Sequence, residues 1–60
     1  MNCIQGQRVK ITHTSNEFAA SDVGKTGTVI GEAPLGMVTL LLDDGREYWA
    51  DPYNLAKVGA

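Results

Sequence analysis

Turn-forming residues divide this 60-residue chain into short segments, and that division constrains the fold more than any other feature. Seven glycines, two prolines and the triplet Asp43-Asp44-Gly45 separate runs that are rich in valine, isoleucine, leucine and threonine. Such residues favour β-strands, whereas Gly, Pro and Asp-Gly pairs favour the turns between them. The sequence therefore predicts an all-β domain of short strands joined by hairpins.

Five strands are predicted from these runs. Residues 6–12 alternate polar and apolar side chains, which is the period of a strand with Val9 and Ile11 inward. The predicted strands span residues 6–12, 26–32, 37–42, 46–50 and 55–58. Residues 14–22 could hold one helical turn, but they lack a sustained apolar period and predict a long loop. Because Pro52 has no N–H to donate to a sheet, it favours a single 3₁₀ turn over residues 51–54, before the last strand.

A flat sheet of five short strands would leave two large faces for a small core to cover. Curling into a barrel covers one face with itself, so we expect a single small β-barrel domain over residues 1–60, with residues 1–5 as a loose N-terminus. The glycines at 24, 27, 31 and 36 are the expected bends. The predicted core is Val9, Ile11, Val29, Val38, Leu40, Leu42, Tyr48, Leu55 and Val58.

Two stretches resemble a known motif. Residues 6–11 read Gly-x-x-Val-Lys-Ile and residues 24–29 read Gly-Lys-Thr-Gly-Thr-Val, which is similar to the KOW pattern of SH3-like barrels. Residues 42–55 resemble the closing hairpin and 3₁₀ turn of that superfold. The loop from Thr12 to Val23 is longer than the turn that KOW segments have there. The resemblance implies a five-stranded SH3-like barrel, and for KOW modules it implies contact with RNA, DNA or a machine such as the ribosome or RNA polymerase.

A nucleotide site is not predicted, although residues 24–26 spell the Gly-Lys-Thr with which a P-loop ends. A P-loop needs an earlier glycine, which here is Ala19, and it follows a strand and opens a helix. In this chain a polar loop precedes the triplet and the β-prone residues 27–30 follow it. We interpret the triplet as the start of a strand.

Catalytic and metal sites are likewise not predicted. Asp43 and Asp44 are sequence neighbours in a turn and do not face each other across a cleft, and with Glu47 they lack calcium-loop spacing. Cys3 and His13 are too few ligands for structural zinc and lack a third orienting group for nucleophilic catalysis. Type II plasmid dihydrofolate reductases are similar in size and barrel type, but their Val-Gln-Ile-Tyr stretch does not match residues 47–50. We expect a non-enzyme without cofactors.

The localisation expected is cytoplasmic. No apolar run approaches the roughly 20 residues of a membrane span, and the N-terminal residues lack the basic and apolar regions of a secretory signal. The single cysteine excludes an internal disulfide and fits a reducing compartment.

Charge suggests one possible binding surface. The net charge is −2, but residues 1–28 carry +1 and residues 29–60 carry −3. Arg8, Lys10 and Lys25 therefore form a predicted basic face, which would contact phosphates. The alternative is that these cations are an ordinary solvated strand face.

Exposed aromatic side chains suggest a second possible binding surface. If Tyr48 points into the barrel, Trp49 points out, and Tyr53 on the following turn can lie beside it. Outward Met37 and Leu41 would extend this patch. The alternative is that Trp49 closes the barrel end. Because a chain of 60 residues buries only about 60% of its surface, docking on a partner or on a second copy is a natural supplement.

These observations favour a protein-binding module or small accessory subunit that binds a partner, or itself, through Trp49, Tyr53, Met37 and Leu41. A KOW-like module that uses the basic face is the alternative. Resemblance to compact barrels of mobile elements adds a third hypothesis, a phage or plasmid protein that modulates a host complex.

Overall fold

The computed structural model describes residues 4–14 and 17–59, and within them the chain forms one antiparallel sheet of five strands. The strands are β1 (Arg8–Ile11), β2 (Thr26–Glu32), β3 (Val38–Leu42), β4 (Glu47–Ala50) and β5 (Leu55–Lys57). Their order in the sheet is β4-β3-β2-β1-β5. The described part of the chain is thus all-β apart from 3₁₀ segments, which confirms the predicted class.

The bounds of all five strands agree with the prediction to within two residues. β2 begins and ends as predicted, and a 3₁₀ turn over Pro52–Asn54 precedes β5. The predicted long loop was only partly right, because it contains a six-residue 3₁₀ segment, Glu17–Asp22. A segment this short does not need the sustained apolar period whose absence predicted a loop.

The core lies on one face of the sheet and contains eight buried apolar residues among those described. They are Val9, Ile11, Val29, Val38, Leu40, Leu42, Ala50 and Leu55. Tyr48 is only half-buried and packs against this cluster. The prediction of Val58 as a core residue was wrong, since it lies past the end of β5 and is exposed. Residues three apart in a strand face opposite sides, so Leu55 and Val58 could not both point inward.

Glycines serve two different purposes along this chain. Gly24 and Gly36 have φ angles of 96° and 74°, which permit sharp turns that other residues avoid. Gly27 does not bend the chain in this way. It is buried within β2, where a Cβ would lie 2.8 Å from the backbone oxygen of Leu41. At this position the lack of a side chain lets β2 and β3 approach closely. Gly31 adjoins an irregularity in the β2–β3 pairing, where the register shifts between Val29 and Gly31.

β4 and β5 lie at the two ends of the strand order and are not paired with each other. The closed barrel therefore stays a prediction. The sheet nevertheless has distinct faces, because buried and more exposed residues alternate along β1 and β3.

Candidate protein-binding surface

The exposed apolar residues of the sheet are concentrated on β3 and β4. In β3, Leu40 is inward and Leu41 outward, and register pairs Leu40 with Tyr48 and Leu41 with Glu47. We call the outward-facing residues of these strands the outer wall and the inward-facing residues the inner wall. The outer wall consists of Thr39, Leu41, Glu47 and Trp49. The inner wall consists of Val38, Leu40, Leu42, Tyr48 and Ala50.

Trp49 is the largest apolar side chain of the outer wall. It is 57% exposed and lies opposite Thr39, while Leu41 is 42% exposed one diagonal step away. Diagonal neighbours on adjacent antiparallel strands are about 7–8 Å apart, which is within reach of an aromatic ring. Trp49 therefore points outward, as the alternation with Tyr48 and Ala50 predicts, and it shares the outer face of the sheet with Leu41.

The other two predicted patch residues lie beyond the ends of β3 and β4 that are away from the β3–β4 turn. Tyr53 is 85% exposed on the 3₁₀ turn that follows β4, where the Asp51 side chain accepts a hydrogen bond from the Tyr53 N–H at 3.0 Å. Met37 lies immediately before β3 and is half-buried. Its backbone closes the β2–β3 turn, because the Ala33 N–H donates to its carbonyl at 2.9 Å and its own N–H donates to Pro34 at 3.2 Å.

Leu35 was not predicted as a surface feature. It is 95% exposed at the tip of the β2–β3 turn, with a left-handed φ of 61°. This conformation costs a branched residue such as leucine roughly 1–2 kcal/mol relative to ordinary backbone. A leucine between Pro34 and Gly36 was the available signal, since apolar side chains are unusual in so tight a turn.

The predicted basic face does not present three free cations. Arg8 donates both ends of its guanidinium to the carboxylate of Asp43, at 2.6 and 2.7 Å, and also donates to the hydroxyl of Thr28. The Arg8 hydrogen bonds lower the pKa of Asp43, and the same bonds raise the pKa of Arg8. This two-point geometry is the strongest kind of side-chain ion pair.

Lys25 belongs to a second ionic group, the turn cluster, which is formed by Asp22, Lys25, Asp44 and Arg46. The carboxylate of Asp22 is nearly buried and lies 2.7 Å from Arg46 Nη2 and 3.2 Å from Lys25 Nζ. Asp44 lies 3.1 Å from Arg46 Nε and 3.5 Å from Lys25 Nζ. The cluster joins the 3₁₀ segment before β2 to the β3–β4 turn.

Hydrogen bonds are the main cause of the shifted pKa values in this cluster. The pKa of Asp22 is lowered, first by the hydrogen bond from Arg46 and then by that from Lys25. A backbone hydrogen bond from Arg46 is the main cause of the lowered pKa of Asp44. The two carboxylates in turn raise the pKa of Arg46. These ionic contacts hold two loops together and pair each of the four charges of the turn cluster.

Lys10 is the exception among the predicted basic residues. It lies on the outward face of β1, opposite Thr26 of β2 and Ala56 of β5. Within residues 4–14 and 17–59 it has no ion-pair partner. A single unpaired lysine gives a weak phosphate-binding surface, because affinity for nucleic acid grows with each phosphate that is neutralised.

Among the depressions on the surface of the described residues, two lie beside β2. The larger, about 420 Å³, lies beside Gln5, Val29 and Glu32. The smaller, about 290 Å³, lies against the turn cluster and is lined in part by Lys25, Asp43 and Asp44, whose charges are already paired. No group of three or more His, Cys, Asp or Glu side chains suited to a metal occurs in the described part of the chain. Cys3, considered above as a ligand or nucleophile, lies outside the described residues.

Comparison with protein-family models, with curated proteins and with solved structures found no match to this chain. Among residues 4–14 and 17–59, no helix has the length and apolar character needed to cross a bilayer.

Proposed function

We propose that this chain is a non-enzymatic binding module, a small SH3-like barrel that acts as an accessory subunit by binding a protein through its outer wall. The observation that carries the proposal is the position of Trp49. The chain has a single tryptophan and only eight buried apolar residues among those described, yet Trp49 is 57% exposed. In so small a domain, the largest apolar side chain would stabilise the fold most if it were inside.

The energetic gain from covering this surface is substantial. An aromatic side chain buries about 150–250 Å² when it is fully covered, and apolar burial contributes about 25 cal/mol per Å². Covering the exposed part of Trp49 therefore contributes on the order of 3 kcal/mol to binding. Tryptophan is also among the residues that most often dominate protein interfaces. Leu41, Tyr53 and Met37 would supply the surrounding contacts.

Quantitative capture of partners from an extract of the source cell tests the proposal. The tagged wild-type chain is compared with Trp49→Ala, and Lys57→Ala provides an exposed substitution on the opposite edge of the sheet. We expect Trp49→Ala to reduce the captured protein at least about tenfold, as for an interface hot spot. Lys57→Ala should leave it unchanged. Thermal unfolding of the variants checks that an exposed substitution has not unfolded the chain.

The dependence of capture on salt concentration distinguishes this function from the nucleic-acid alternative. Capture through the outer wall should persist at about 0.5 M salt, where exposed charges are strongly screened. Capture that survives Trp49→Ala but is lost with salt, with nuclease or with Lys10→Ala would contradict the proposal. It would favour a KOW-like module that contacts phosphates. The ion pairs of Arg8 and Lys25 are the reason for preferring the outer wall, because binding phosphates there requires breaking contacts within the chain.

A further inference from the structure

The free edge of β4 carries hydrogen-bonding groups that the sheet does not use. Residues along an antiparallel strand alternate between those that bond to one neighbour and those that face the other way. The Leu42 N–H donates to the Arg46 carbonyl at 2.8 Å, which makes this pair a hydrogen-bonded one. Continuing the register, Tyr48 and Ala50 bond to β3. The N–H and C=O groups of Glu47 and Trp49 therefore point away from β3, toward the edge.

These edge groups have no other partner in the described residues. No hydrogen bond within residues 4–14 and 17–59 involves the backbone of Glu47 or Trp49 on that side. Glu47 and Trp49 are also the two outer-wall residues of β4, so the unpaired backbone and the exposed indole lie on the same four-residue strand. The edge thus offers backbone groups for strand pairing next to an apolar side chain that would be covered by it.

The opposite edge of the sheet is different. On β5, the Val58 N–H donates to the Arg8 carbonyl, so the backbone N–H and C=O groups of Leu55 and Lys57 point away from β1. The Leu55 N–H, however, already donates to Pro52. β5 has only three residues, and one of them is a lysine, a residue that discourages pairing at sheet edges. Strand addition is therefore favoured at β4.

We propose that the partner of the outer wall is a second copy of this chain, which pairs its β4 antiparallel to the first across a two-fold axis at Tyr48. This inference rests on the proposed function and names its partner. In this register Glu47 of each copy faces Trp49 of the other. Both residues have outward N–H and C=O groups, so the two strands exchange four backbone hydrogen bonds. The sheets of the two copies become continuous.

Charge selects this register over its neighbours. Pairing with the axis at Glu47 would place two Glu47 carboxylates face to face. Pairing with the axis at Trp49 would place Glu47 opposite Asp51 of the other copy. Like charges directly opposite in a sheet are destabilising, whereas the axis at Tyr48 places each carboxylate beside an indole. If the register shifted by one residue, backbone groups that point to the edge of one copy would face backbone groups of the other copy that already bond to its own β3. The intermolecular hydrogen bonds would then be lost. The two Trp49 rings become diagonal neighbours across the axis.

Proline substitution tests the pairing with little cost to the fold. Glu47 begins β4 and its N–H faces solvent, a position where proline is tolerated. Glu47→Pro removes two intermolecular hydrogen bonds per dimer, because each copy loses one donor. Lys57→Pro removes an outward N–H from β5 and is the matched control. Circular dichroism and thermal unfolding verify that both variants are folded.

Sedimentation equilibrium over an approximately hundredfold range of concentration, in reducing buffer to exclude a Cys3 disulfide, measures the association. Emission of the single tryptophan gives a second readout, since pairing removes the indole from water. We expect the wild-type chain to dimerise with a blue shift of emission. Glu47→Pro should weaken dimerisation by about tenfold to a hundredfold, and Lys57→Pro should not change it.

Other results overturn the inference in distinguishable ways. A wild-type chain that stays monomeric excludes the second copy, while protein capture that depends on Trp49 would still support the proposed function. Dimerisation that is lost with Trp49→Ala but retained with Glu47→Pro supports the outer wall and excludes strand pairing. Equal weakening by the two proline variants, or by neither, places the interface away from the β4 edge.

Discussion

The nine residues of β3 and β4 divide between an inner and an outer wall, and the two walls have different environments. Leu40 is completely buried, and its sequence neighbour Leu41 is nearly half exposed. Likewise, Ala50 is buried whereas Trp49 is mostly in solvent. Hydrophobicity alone does not distinguish these neighbours. The alternation of the strand assigns the inner wall to stability and leaves the outer wall available for contact with another molecule.

This difference shows how a small domain can keep a binding surface without losing its fold. The core of eight residues is completed by one side of the hairpin, so substitutions on the other side need not unfold the chain. If the walls are independent in this sense, stability and association should respond to different substitutions. Substitutions on the two walls test that independence.

Replacing adjacent leucines gives the most direct test. Leu40→Ala removes a fully buried side chain and should reduce the free energy of unfolding by about 2–5 kcal/mol. That is a large share of the roughly 3–9 kcal/mol expected for a chain of this length. Leu41→Ala should reduce it by less than about 1 kcal/mol, because the side chain is partly in water already. Urea unfolding measures both values.

Similar losses in the free energy of unfolding for the two leucine variants would contradict the division into walls. Such a result would mean that the outer wall also contributes to the core, for example by packing against the free edge of the sheet. Leu41→Ala should instead weaken association, which sedimentation detects, with little change in the free energy of unfolding.

Substitution at Gly27 tests how tightly β2 packs on this hairpin. A Cβ at Gly27 would meet backbone atoms of Leu41 and Leu42, which cannot rotate away as a side chain does. Gly27→Ala should therefore reduce the free energy of unfolding by about 1–3 kcal/mol. Gly31→Ala is the control, since a Cβ there has nothing within 4 Å. Thermal or urea unfolding that finds Gly27→Ala as stable as Gly31→Ala would show that the two strands can separate at little cost.

Much of this architecture could be predicted from local patterns. The bounds of β2 and the 3₁₀ turn at Pro52 follow from β-branched residues and from the missing N–H of proline, which act over a few residues. The inward positions of Val9 and Ile11 follow from period-two alternation. Val58 shows the limit of a reading based on residue type. Its apolar side chain suggested a core position that the alternation from Leu55 excludes.

The ionic contacts could not be predicted in the same way. Arg8 and Asp43 are 35 residues apart, and Asp22 and Arg46 are 24 apart. Only the register of the sheet and the position of the loops bring them together. The basic residues at 8 and 25 therefore looked available for phosphates in the sequence, while the fold pairs them with carboxylates. The unpaired edge of β4 was also hidden, because it depends on which strands are neighbours.

The smallest effect on stability is expected in the turn cluster. Here exposed charged groups stabilise the fold, whereas the exposed residues of the outer wall are expected to contribute little to it. The pKa of Asp22 is lower in the folded chain than its ordinary value near 4. A lowered pKa contributes stability that is present above pH of about 4 and is lost as the pH falls through the folded pKa. Asp22→Asn should therefore lower the melting temperature at pH 7, and its difference from wild type should shrink below pH 4.

Glu32→Gln is the control for this last prediction. Glu32 is exposed and makes no ion pair with any described residue, so its replacement should change the melting temperature little at either pH. Added salt should reduce the effect of Asp22→Asn only partly, because the carboxylate is nearly buried while Lys25 and Arg46 are exposed. A difference between wild type and Asp22→Asn that does not change with pH would show that the amide loses only packing and hydrogen bonds. The two loops would then be held by packing and hydrogen bonds, and the charge of Asp22 would contribute nothing to the stability of the fold.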